Sequence, residues 1–83
     1  MNWHENLYEI YSKLESNGFE TLSKEIHEAQ LEGATGGEIF GLVITKLIFI
    51  KRNQPEIYSI IKMEVDEMID YGKSIGYLKF YHE

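Results

Sequence analysis

Apolar side chains recur along this chain at alternating steps of three and four residues, the spacing of one face of an α-helix. Trp3, Leu7, Ile10 and Leu14 form a first stripe, widened by Tyr8 and Tyr11. Phe19, Leu22, Ile26, Ala29 and Gly33 form a second, and Ile57, Ile61, Val65, Met68 and Ile69 another, with Ile60 beside it. Between them, residues 39–50 place apolar groups on nearly every side of a helical wheel, which predicts a helix either buried or crossing a membrane. The run is shorter than the roughly 20 residues a span requires, and Thr45 and Lys46 interrupt it. The pattern therefore predicts a central helix that the other segments wrap. A buried strand through the β-branched residues of 42–51 is the rival reading; the capping signal ahead of the run and the lack of a partner strand favour the helix.

The residues between the stripes punctuate them. Asn2 with Glu5, and Thr35 with Glu38, have the spacing of capping boxes at helix starts. Asn17-Gly18 can take the left-handed conformation that closes a last turn, and Pro55 suits a first turn, where its missing N–H does no harm. Lys51 and Arg52 suit the negative end of a helix dipole. Helices are expected over 2–17, 19–32, 36–52 and 54–72, the first two as antiparallel neighbours joined by a short loop and the last ending near Tyr71-Gly72 or passing through Gly72 to Ile75. Gly41, inside the third helix, costs about 1 kcal/mol relative to Ala, so a close helix crossing is expected there. Ile75, Tyr77, Leu78 and Phe80 predict a tail that docks on the bundle, as a last helical turn or an extended segment. The expected fold is all-α: one compact, four-helix bundle-like domain over 1–83 with a docked C-terminal tail.

Composition agrees with a small globular domain: 83 residues, 43% hydrophobic and 27% charged. There is no cysteine, hence no disulfide and no thiolate metal site. The first residues lack both the basic start and the apolar core of a signal peptide, so a cytoplasmic protein is expected. The formal net charge is −6 and unevenly spread: residues 1–33 hold seven acids and two lysines, 34–55 one acid and three bases, and 56–83 six acids and three lysines. Such a surface repels phosphate, so neither nucleic acid nor an anionic membrane is an expected partner, whereas a basic protein is.

Candidate chemistry is sparse. His4, His27 and His82 are far apart, and none has a second histidine one turn away. No metal site is expected from them, because zinc requires three or four convergent ligands. T-G-G-E, residues 35–38, lacks the lysine and the spacing of a phosphate loop. No serine stands in a pattern suggesting nucleophilic catalysis. No cofactor and no catalytic residue are expected. What remains is charge. Glu25, Glu28 and Glu32 form one acidic stripe; Glu64, Asp66, Glu67 and Asp70 form another, with Tyr71 beside it. These eight residues are the expected partner-binding set, weighed against plain solvation of a helix face, which acidic stripes serve in most domains. The like charges themselves cost a few tenths of a kcal/mol per pair.

The segment A-Q-L-E-G-A-T-G-G-E-I, residues 29–39, followed by Leu42 and Leu47, resembles a pattern in small acidic bacterial proteins, some of them immunity proteins that neutralise the toxins of competing bacteria. The resemblance covers about a quarter of the chain. It implies a helical, non-enzymatic binding protein and carries over no functional residue. The expected function is accordingly a protein-binding module, of immunity or antitoxin type, that presents acidic helix faces to a basic partner such as a toxin. A structural or regulatory homo-oligomer, in the simplest case a homodimer, is the second expectation. The third is a small metal- or ligand-binding enzyme built on His27 and carboxylates brought to it by folding.

Overall fold

The computed structural model describes residues 2–78, which form four helices: α1 (Trp3–Ser16), α2 (Glu20–Glu32), α3 (Gly36–Asn53) and α4 (Pro55–Ser74). No strand occurs among the described residues, so the helical reading of 39–50 holds.

The helix ends follow from local chemistry. Asn2 Oδ1 accepts the His4 amide at 3.0 Å, one residue earlier than a box closed by Glu5 would place the bond. Thr35 Oγ1 accepts the Glu38 amide at 3.2 Å. At the end of α1, Gly18 takes φ 86°; its N–H reaches Glu15 C=O, and the Phe19 N–H reaches Leu14 C=O. This pair of bonds is the Schellman closure. Phe19 at once becomes the cap of α2, which is why that helix begins at Glu20 rather than at 19. The same closure recurs beyond α4: Gly76 at φ 84° donates to Lys73 C=O, and Tyr77 donates to Gly72 C=O. The fourth helix therefore takes the longer of its two expected courses, passing through Gly72 to a C-cap at Ile75. It also bends at Ile61, where φ −116° and ψ 18° leave the helical region. Neither proline nor glycine lies there. Two residues earlier the Ser59 hydroxyl donates to Glu56 C=O, a local competition that favours bending.

The helices sit at the corners of a four-membered ring. α1 packs on α2 and α4, and α3 packs on the same two, whereas no Cα pair lies within 8 Å across either diagonal. Sequence neighbours run antiparallel, as the Tyr11–Gln30 and Ser23–Glu15 hydrogen bonds show for the first pair. Leu7, Ile10, Leu14, Ile26, Phe40, Val43, Ile44, Leu47, Ile50, Ile61, Val65, Met68 and Ile69 fill the interior. The third helix is thus a corner, not the axle that its composition predicts. With neighbours on two sides only, it leaves Thr45, Lys46 and Phe49 exposed, the last at 58%.

Three glycines mark close approaches. A Cβ on Gly33 would stand 2.8 Å from the backbone of Ile39, one on Gly37 would overlap the Tyr77 hydroxyl, and one on Gly72 would meet Leu78 at 2.7 Å and Phe40 at 3.2 Å. The expectation for Gly41 is overturned: among the described residues a Cβ there meets nothing within 4 Å, so no crossing of the four helices requires this glycine. Docking of the tail is seen up to Leu78, which packs against the core, and the Tyr77 ring lies 5.6 Å from that of Phe40. Trp3 and Tyr71 meet the same Phe40 ring edge-on, at 5.4 and 5.6 Å. Phe80, Tyr81 and His82 lie outside the described residues.

Candidate protein-binding face

The fold separates the predicted acidic residues into three groups. Glu25, Glu28 and Glu32 are exposed on α2, as the stripe requires. Glu67 and Asp70 are also exposed, and with Tyr71 and Ser74 they line a shallow depression of about 330 Å³. Tyr71 itself is half-buried against Phe40.

The third group corrects the sequence reading. Glu64 is 6% exposed and lies between α1 and α4, with Oε2 2.5 Å from Lys13 Nζ and Oε1 buried without a hydrogen-bond partner. It is no part of a docking surface. The reason is register: Glu64 precedes Val65 on the buried side of α4, and only a cation from a neighbouring helix makes that position tolerable. Asp66 is also engaged within the fold. Its carboxylate accepts from the Tyr58 hydroxyl, from Lys62 at 2.8 Å and from Lys51 at 3.3 Å, tying both sides of the α4 bend to α3. Partial burial disfavours the charged form of Asp66, but the hydrogen bonds from Lys62, Tyr58 and Lys51 outweigh it and hold the carboxyl below the ordinary aspartate range. The Lys62 ammonium is correspondingly raised by its bonds to Asp66 and Tyr58. Both lysines also lie over the Tyr58 ring, 5.4 and 5.3 Å from its centre.

Nor do the two acidic stripes share a face, because α2 and α4 occupy opposite corners. One of the two neighbours of α2 is α1, whose exposed acids do not fall in a stripe. Glu5, Glu9, Glu15 and Glu20 are exposed alongside Glu25, Glu28 and Glu32, and none of the seven has an ion-pair partner among the described residues. Of the two lysines in this hairpin, the half-buried Lys13 is paired with Glu64, which leaves Lys24 as the exposed one. The signal was present in the charge tally of residues 1–33, but the periodic spacing of like charges obscured it.

A cleft of about 410 Å³ opens in the middle of this hairpin, lined by Tyr11, Glu15, Glu20, Ser23, Lys24 and His27. Ser23 is buried to 3% exposure at its floor and donates to Glu15 Oε2 at 3.0 Å. The Tyr11 hydroxyl donates to Gln30 at 2.9 Å, and its ring centre lies 5.6 Å from that of His27. Burial, reinforced by nearby Tyr8, pushes the Tyr11 phenol up to about 12. Glu15 from α1 and Glu20, two turns earlier on α2 itself, thus line the same cleft as His27. Among the described residues, however, no group of three or more His, Cys, Asp or Glu could hold a metal ion. The Ser23 hydroxyl is bonded directly to a carboxylate with no imidazole between them, which is not the relay of a nucleophilic serine. No described helix is long and apolar enough to cross a membrane. In comparisons with known proteins, no family model, no curated protein and no solved structure matches this chain.

Proposed function

We propose that this protein is a non-enzymatic protein-binding module whose α1–α2 hairpin receives a basic partner. One observation carries the reading: seven exposed carboxylates stand on two adjacent helices without an ion-pair partner among the described residues, while one of the hairpin's two lysines is engaged by the buried Glu64 of α4. Uncompensated charge of one sign on a small domain steers an oppositely charged partner and raises its association rate. Glu67, Asp70 and Tyr71 form a separate, smaller acidic depression and are secondary in this reading. The resemblance of residues 29–47 to immunity-type proteins makes a toxin the leading class of basic partner.

Capture of partners from the source cell at low and high salt tests this. Basic proteins recovered at low salt, released at high salt, and lost when Glu25, Glu28 and Glu32 are changed together to Gln are the expected result. Recovery of only acidic or neutral proteins, indifferent to salt, would overturn it.

A further inference from the structure

The hairpin cleft has more structure than a charged face needs, and the geometry points to a pocket for a single arginine side chain of the basic partner. This rests on the protein-binding reading above and specifies what the partner inserts. The volume of about 410 Å³ is at the lower end of the roughly 300–1,000 Å³ range of small-ligand clefts, room for one side chain. Its walls are held in place before any ligand arrives. Ser23 draws the Glu15 carboxylate back onto the cleft wall, and Gln30 fixes the Tyr11 hydroxyl. Glu15 Oε1 and the whole Glu20 carboxylate have no partner among the described residues, so they are free to accept N–H groups from a guest.

Two features select arginine over lysine. The carboxylates come from two sides of the cleft, one on α1 and one on α2, which suits a flat fork with five donors better than a point charge. The Tyr11 and His27 rings both line the cleft, their centres 5.6 Å apart and their planes inclined at 56°, and a guanidinium stacks on an aromatic ring whereas a strongly hydrated ammonium does so less well. Lys24 is the one cation in the lining and opposes any cationic guest. Glu15, Glu20 and Lys24 are all exposed, so neutral substitutions there leave the core untouched.

The test is a titration of the isotope-labelled protein with N-acetyl-arginine amide and N-acetyl-lysine amide, followed by NMR. It is paired with an oligolysine peptide and the same peptide carrying one arginine. The expected result is a saturable shift confined to Tyr11, Ser23, His27 and their neighbours, with arginine preferred about threefold to tenfold. The preference should vanish in the Glu15→Gln, Glu20→Gln double variant and should grow in Lys24→Gln. Equal affinity for the two amides, or shifts scattered over the hairpin, overturns the pocket. If oligolysine then still binds the hairpin, the acidic-face reading survives without it; if neither peptide binds, both are refuted.

Discussion

The Lys13–Glu64 pair gives the sharpest test of the packing described above. Glu64 is 6% exposed, its Oε1 has no partner, and Lys13 is the one cation in contact with it, at 2.5 Å. Removing one partner of a buried pair typically costs about 3–5 kcal/mol, because the other charge is left uncompensated. The two partners are not equivalent here. The Lys13 side chain is 36% exposed and can turn to water when Glu64 is lost, whereas Glu64 has no such escape. Lys13→Met should therefore cost about 2–3 kcal/mol, discounted for the exposure of the lysine. Glu64→Leu should cost less than about 1 kcal/mol, or even stabilise, since it also removes the orphaned oxygen. For a domain of this size 1 kcal/mol corresponds to about 4–8 °C in Tm. Thermal melts by circular dichroism should then place Lys13→Met some 10–20 °C below the parent, with Glu64→Leu close to it. The double variant should recover most of the loss, which is the signature of coupling in a mutant cycle. Equal effects of the two single changes, or a Lys13→Met melt within about 2 °C of the parent, would refute the asymmetry and the buried charge on which it rests.

Other outcomes follow from single positions. Gly41→Ala should raise stability by about 0.5–1 kcal/mol in denaturant unfolding, because the new methyl meets no neighbour and the helix gains propensity. Gly33→Ala should lower it by about 1–3 kcal/mol, since the clash is with the Ile39 backbone and not with a movable side-chain tip. The depressed Asp66 carboxyl contributes stability that is present above its unfolded value, near 3.8, and is lost as pH falls below it. Asp66→Asn should flatten the acid limb of a stability–pH curve while changing neutral-pH stability by no more than about 1 kcal/mol. Tyr11 carries the opposite sign. Its raised phenol favours the folded state fully below pH 10.0, and that contribution is lost as pH rises toward about 12, so Tyr11→Phe should lessen the alkaline loss in that window.

What the sequence disclosed, and what it did not, divides along the range of the interaction. Thr35, Gly18 and Pro55 act within one turn of themselves, and their helix boundaries were legible to within a residue or two. The end of α4 has two readings in the sequence, near Tyr71-Gly72 or on through Gly72 to Ile75. The longer one is taken, with the closure at Gly76, while Gly72 lies where Leu78 and Phe40 come close, a contact created only by the finished fold. The all-round apolar pattern of 39–50 suggested an axle, but a helix in a four-membered ring has two neighbours, and Phe49 is left facing water. Glu64 read as one of four clustered acids. Its burial depends on a lysine 51 positions away in the chain, which no local pattern could announce. The hairpin cleft was illegible for the same reason: Tyr11, Glu15, Ser23 and His27 converge only once α1 and α2 lie side by side.

The connection Asn17-Gly18-Phe19 contains no slack, since Phe19 closes one helix and opens the next. Each α-helical residue advances the chain by about 100° around its axis, so an extra residue taken up helically at the start of α2 would rotate the rest of that helix by that amount. Ile26 and Ala29 would leave the interior at the same stroke as Ser23 and His27 lost sight of Tyr11. Length at this one junction therefore sets the rotational phase of core and outer face together, and evolution cannot tune the receptor side of the hairpin by loop length without unfastening the inside.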